Sequence, residues 1–213
     1  LMRLAIDPEG RTVSSRLSPE QNATLTAALS SLGVPAGALD RFEPWFHSLM
    51  LAQVAARQLN LDATNGPEAV LRRAAAARSM REGELETIES QLQIFDNLSE
   101  EDQLAGLRAA LDDLEELSRQ LAPMLEAWST GDVDRLSTMM NEGLADDRTL
   151  YDALFTNRNA RWAEWIAERM AQPGTVFMAV GAGHLGGRNS VQDALAGRGI
   201  RAERVPHVEA PAS

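Results

Sequence analysis

A series of leucines spaced like one face of a helix sets the main limit on how this chain can fold. The series begins after Ser99, which is followed by three acidic residues, a pattern typical of a helix start. Apolar residues then recur every three or four positions, which predicts one long amphipathic helix that Pro123 bends. A core helix is favoured over a coiled-coil surface. The stripe consists of Leu104, Leu107, Leu111, Leu114, Leu121, Leu125 and Trp128.

Further start and stop signals predict a fold of many helices around a small mixed sheet, of the α+β or α/β class. Pro8-Glu9-Gly10 separates two short extended runs and suggests a hairpin. The other predicted strands cover 80–86, 175–180 and 200–205. The other predicted helices cover about 18–32, 45–59, 68–78, 88–97, 130–140, 146–171 and 190–196.

Composition excludes several classes of protein. The chain has 213 residues, of which 44% are hydrophobic, so it should form a globular core. Its net charge of −11 argues against nucleic acid or an anionic membrane surface as its main partner. It contains no cysteine, so any metal would be held by His, Asp or Glu. No apolar run is long enough for a transmembrane helix.

His184 is the first candidate site residue. It follows the predicted buried strand 175–180, and open α/β sheets bind ligands at the carboxyl ends of their strands. Gly181 and Gly183 beside it would let the backbone approach a ligand or cofactor closely. A catalytic or metal-binding role is thus predicted. The alternative is a turn histidine bonded to a neighbouring carbonyl.

Arg158 and Asn159 are the second candidates. On an ideal helical projection from Leu154, Arg158 lies within the apolar arc of helix 146–171, and Asn159 lies just beyond its edge. A charge within an apolar stripe is costly unless it is paired. Arg158 is therefore either one half of a structural pair or a group that enters a site and binds an anion.

Glu86 is the third candidate, because it would end the predicted strand 80–86. Its carboxylate could then converge on His184 as a metal ligand or general base. The alternative is an exposed glutamate in an acidic run.

Several of these residues also resemble motifs of the TraB/PrgY/GumN family. Residues 85–87 resemble the family's Leu-Glu-Thr motif, and Gln91 resembles the glutamine that accompanies it. Residues 158–162, which begin Arg-Asn, residues 177–187, which contain Gly-Ala-Gly-His, and residues 197–200 resemble its C-terminal half. Residues 66–68 resemble a further motif, with Glu where the family has Asp. It implies one domain over 1–213, with a helical insertion at about 18–145 and a C-terminal βαβ-like unit at 146–206.

The resemblance also implies a function, because the family is similar to Tiki-type metalloproteases. These carry two Gly-x-x-His motifs, of which the second maps onto Gly181 and His184. The first would lie upstream of Leu1, so we expect a truncated chain whose site needs residues outside it.

The function expected from this resemblance is a metal-dependent, peptidase-like hydrolase that uses a divalent ion such as Mn, Co or Zn. Glu86, Arg158 and Asn159 would be the catalytic residues and His184 the metal ligand. The substrate would be a peptide or small molecule, and a homo-oligomer is also considered. A periplasmic or secreted location is expected, with a cytoplasmic one left open. The alternative is a non-catalytic module that binds a small anion or a peptide end.

Overall fold

The computed structural model describes residues 3–61, 63–144 and 148–205 of the chain. Ten α-helices run through these residues. They are α1 (Pro19–Ser31), α2 (Pro44–Gln58), α3 (Pro67–Ala77), α4 (Ile88–Asp96), α5 (Glu100–Asp112), α6 (Leu114–Thr130), α7 (Val133–Gly143), α8 (Arg148–Tyr151), α9 (Asn157–Met170) and α10 (Val191–Ala196). None of the described helices is long and apolar enough to cross a bilayer. The prediction of a helix-dominated fold is confirmed.

The chain divides into two compact units, Leu1–Thr130 and Gly131–Ser213. The predicted single domain with its helical insertion and C-terminal unit stays a prediction. Each unit is described here by itself.

The first unit is built around α2, which packs against α1, α5 and α6. Its helix starts follow the sequence: Ser18 caps α1 in a reciprocal pair with Gln21, and Pro44 opens α2. The core between these helices is apolar. Its buried members are Val13, Leu25, Ala28, Leu29, Leu51, Val54, Leu107 and Leu111.

An ionic network fastens the N-terminal segment of this unit. The carboxylate of Asp7 accepts hydrogen bonds from the backbone of Glu9 and Arg11 and from the Arg11 guanidinium. Burial alone would raise the pKa of Asp7, but these bonds hold the pKa below its usual value. Arg11 and Arg16 also pair with Glu100 at the start of α5. The turn after Pro8 is therefore tied to the helical core.

The leucine stripe of 104–128 is divided between two helices, contrary to the single helix that its spacing predicts. The break falls at Asp113, and Pro123 lies inside α6. Asp113 Oδ1 accepts a hydrogen bond from the backbone N–H of Glu116 at 2.8 Å, so the aspartate caps the new helix. A local side-chain bond thus interrupts a pattern that continues across it.

The predicted mixed sheet is wrong for the described residues, where a single antiparallel bridge between Ile6 and Phe42 is the only β-pairing. The segments 80–86, 175–180 and 200–205 have no strand assignment, and a short 3₁₀ turn occupies 14–16. Phe177 is 71% exposed. Strand-forming residues form a sheet only when a neighbouring strand takes up their backbone hydrogen bonds and one face is covered. The described part of the chain supplies no neighbouring strand to 175–180.

Candidate functional site

The candidate site lies within the second unit, between α9 and the loop that leads to α10. A π-helical turn at Asp152–Thr156 joins α8 to α9. Such turns insert one extra residue into a helix and often occur at functional sites. The buried face is formed by Phe155 within this turn and by Asn159, Trp162 and Ala163 of α9.

His184 packs against that face from a short 3₁₀ turn at Ala182–His184, and only 6% of its surface is exposed. Its ring centroid is 5.1 Å from that of Phe155 and 4.4 Å from that of Trp162. The two aromatic rings hold the imidazole in place.

Asn159 fixes the orientation of His184. Its side chain, in a residue that is 1% exposed, donates from Nδ2 to the backbone oxygen of Asn189 at 2.6 Å. Because a carbonyl oxygen only accepts, the Oδ1 atom of Asn159 faces Nδ1 of His184, at 2.7 Å. Nδ1 must therefore carry a proton. In the neutral imidazole, the lone pair is then on Nε2.

Arg158 covers this Nε2 atom. Its Nη1 lies 3.3 Å from His184 Nε2 and donates to the backbone oxygen of Leu154 at 3.1 Å. The guanidinium carbon is 5.0 Å from the centroid of the Trp162 ring, within range of a cation–π contact. The half-buried guanidinium is thus held by a carbonyl, an imidazole and an indole at once.

Two glycines bring the histidine loop close to α7. A Cβ atom on Gly183 would lie 2.5 Å from Met140 Sδ, and one on Gly186 would lie 2.6 Å from Val133 Cγ1. At Gly181 the added atom would make an ordinary contact of 3.7 Å with the His184 ring. In this structure the glycines at 183 and 186 thus serve packing against a helix.

Further hydrogen bonds fasten the loop to α8 and to the π-turn, which lead into α9. Tyr151 donates to the backbone oxygen of Arg188 at 3.0 Å, and Asn189 Nδ2 donates to Thr156 Oγ1 at 3.2 Å. Asn189 adopts a left-handed conformation with φ of 61°. Ser190 then caps α10 together with Asp193. The loop is therefore anchored at several points around His184.

Of the residues predicted for the site, Arg158, Asn159 and His184 lie together. Glu86 belongs to the first unit, where it is half-buried in a bend before Thr87, the cap of α4. Since no strand forms at 80–86, the reason for placing Glu86 at a strand end is wrong, and its role in the site stays a prediction.

Three parts of the site were not predicted from the sequence: the aromatic walls Phe155 and Trp162 and the carbonyl of Asn189. A signal for the walls was present, since Phe155 and Asn159 are four residues apart and Trp162 follows three later. The Asn189 carbonyl leaves no such signal.

Comparison with known proteins identifies relatives over nearly the whole chain. The sequence model of the TraB/PrgY/gumN family matches residues 1–204. An uncharacterized protein from Treponema pallidum (strain Nichols) is 26% identical over 199 residues, which is 88% of this chain and 59% of that protein. The chain thus spans less than two thirds of the length of this relative. No solved structure matches this chain.

Proposed function

Because this chain belongs to the TraB/PrgY/gumN family, we propose that it carries the histidine of a hydrolytic site that acts on peptide-like substrates. The observation that most supports the proposal is the bond of 2.7 Å between His184 Nδ1 and Asn159 Oδ1. An imidazole that is held at Nδ1 presents its Nε2 lone pair in a fixed direction, where it can accept a proton or bind a metal. Asparagine orients a catalytic histidine in this way in some known proteases.

The chemical role of His184 follows from that lone pair. As general base, neutral His184 accepts a proton at Nε2 from a water molecule, and the water oxygen forms a bond to the carbonyl carbon of the substrate amide. The same proton then passes to the leaving nitrogen as the C–N bond breaks. Asn159 stabilises the imidazolium formed in between, because its Oδ1 faces the protonated Nδ1.

Arg158 controls access to this atom. With Nη1 at 3.3 Å from Nε2, the guanidinium occupies the place that a reacting water needs. A carboxylate on the substrate offers Arg158 a stronger, bidentate partner than the imidazole. Binding of an anionic group would therefore draw Arg158 aside and expose Nε2.

A divalent metal ion such as Mn, Co or Zn is implied by the family resemblance. Nε2 of His184 fits one ligand position, but the Arg158 cation lies against it. Among the residues that the structure describes, no three His, Asp or Glu side chains lie close enough together to hold a metal ion. The described residues alone thus do not fit a metal site, and a metal would need further ligands from beyond them. Glu86 remains part of the proposal as a site carboxylate. We also propose a homo-oligomer and a periplasmic or secreted location, both from the family resemblance alone.

Hydrolysis of a fluorogenic peptide library, with and without added Mn²⁺, Co²⁺ or Zn²⁺, tests the proposal. We expect His184→Gln to lower kcat by at least about 100-fold, as for the loss of a general base. His47→Leu, which removes a histidine from the first unit, is the matched control and should retain activity. Full activity in His184→Gln would remove His184 from the mechanism.

A second candidate function is a non-catalytic module that binds a small anion or a peptide end. It is favoured by Arg158, whose guanidinium is already oriented by Leu154 O and the Trp162 ring. Thermal shift measurements separate the two functions. Carboxylates or phosphate should raise the melting temperature of a binding module, and divalent metals that of a metal-dependent hydrolase. Arg158→Lys keeps the charge but loses the planar fork, so it should weaken the anion response.

A further inference from the structure

The second unit contains a cavity that the proposed hydrolytic function does not use. Its volume is about 620 Å³, which lies within the range of small-molecule sites. It is bordered by α7, α8, the π-turn and the loop before α10. Its described lining includes Glu142, Leu144, Arg148, Tyr151, Asp152 and Arg188.

Among the residues that the structure describes, the lining of this cavity carries both cations and anions. Arg148 and Asp152 face each other, with Nε and Oδ2 at 3.7 Å, so each partly neutralises the other. Glu142, on α7, and Arg188, in the loop before α10, add a second anion and a second cation to the described lining. Because Arg148 and Asp152 pair with each other, Arg188 and Glu142 are the described groups left for a ligand. A ligand with a single charge would be attracted by one of these two residues and repelled by the other. A ligand with both charges could be attracted by both.

The cavity also has an apolar side, formed by Leu144 and the ring of Tyr151. The Tyr151 ring packs against Phe155 at 5.2 Å between centroids, which fixes its position. An apolar group on the ligand would lie against this side.

The segment that carries Arg188 is held in position before any ligand arrives. Its backbone oxygen accepts the hydrogen bond from Tyr151 at 3.0 Å. The adjacent Asn189 donates to Thr156 Oγ1 at 3.2 Å, and Thr156 in turn donates to Asp152 at 2.7 Å. The loop that carries Arg188 is thus connected by hydrogen bonds to Tyr151 and to the π-turn, which lowers the cost of ordering this part of the cavity on binding.

We propose that this cavity binds a small zwitterion with an apolar side chain, such as a free amino acid or a dipeptide. The ligand carboxylate pairs with Arg188, the ammonium group pairs with Glu142, and the side chain contacts Tyr151 and Leu144. This goes beyond the proposed function and does not depend on it, because it concerns binding and involves no step at His184.

Isothermal titration calorimetry on the full chain tests the proposal with L-leucine, the dipeptide Leu-Leu, leucine amide and N-acetyl-leucine amide. We expect at least one zwitterion to bind, and the uncharged N-acetyl-leucine amide to bind at least about tenfold more weakly, the loss expected for bonds to charged groups. Whichever of L-leucine and Leu-Leu binds more tightly shows whether the cavity prefers a free amino acid or a dipeptide.

The variant Arg188→Gln assigns the carboxylate contact. It should weaken zwitterion binding about tenfold and leave leucine amide unaffected, because that ligand has no carboxylate to lose. Arg198→Gln, an exposed arginine of the same unit that does not line the cavity, is the matched control. Three results would each overturn the proposal: equal binding of the uncharged analogue, no binding of either zwitterion, or equal weakening of both ligands by Arg188→Gln.

Discussion

Acidification should destabilise the first unit through His47, a histidine buried in α2. Its surface is 1% exposed, and neither ring nitrogen has a hydrogen-bond partner among the described residues. Burial lowers the pKa of His47 to about 4, and the nearby backbone of Phe42 and Leu39 and the charge of Asp40 oppose this shift only in part.

The sign of the effect follows from proton binding. The unfolded chain binds a proton at His47 with a pKa of 6.5, whereas the folded chain binds it only near 4. Stability is therefore complete above the unfolded value and is lost as the pH falls from 6.5 towards 4. The full loss is about 3 kcal/mol, and about 2 kcal/mol of it falls between about pH 7 and about pH 5. That is a large fraction of the stability of an ordinary domain.

Urea unfolding followed by circular dichroism at the two pH values measures this loss, with His47→Leu as the reference. Carboxylates such as Asp7 and Glu100 lose their own stabilising contributions as the pH falls, but they do so in both proteins. The difference between wild type and His47→Leu isolates the histidine. If both proteins lose the same stability between these pH values, burial of neutral His47 is not the cause.

Two further predictions concern the candidate site. Asn159→Ala leaves His184 Nδ1 without its buried acceptor and should cost about 1–3 kcal/mol in urea unfolding, and it should also lower kcat in the peptide assay. Unchanged stability would refute the structural role of this hydrogen bond. Gly186→Ala places a methyl group 3.0 Å from Val133 O and should cost about 1–3 kcal/mol. Gly143→Ala, with open space around it, should not destabilise, and equal costs for the two glycines would contradict the packing role.

Helix starts were predictable from the sequence because they depend on neighbouring residues. The Ser18–Gln21 pair and the Ser99 cap each join atoms only a few positions apart. The division of the leucine stripe was also local, but the cap at Asp113 was a weaker signal than the leucine spacing. The sheet was not predictable in this way, since a strand needs partners from distant parts of the chain.

Within the candidate site, the sequence correctly indicated that Asn159 and Arg158 occupy the face of the helix near the apolar stripe. It placed Arg158 in the centre and Asn159 beyond the edge, whereas the structure buries Asn159 and leaves Arg158 half-buried. The projection assumed about 100° per residue throughout. The π-turn at Asp152–Thr156 departs from that period just before both residues.

This turn also determines how the protein can change in length. It already holds one residue more than a regular helix needs, so deleting one residue within Asp152–Thr156 would restore α-helical geometry and leave the flanking residues on the faces that they now occupy. Tyr151 would then still lie near the Arg188 carbonyl, and Asn159 near His184. In a regular helix each added or removed residue instead rotates one end against the other by roughly 100°. The π-turn is therefore the part of this helix where a change of one residue in length disturbs these two contacts least.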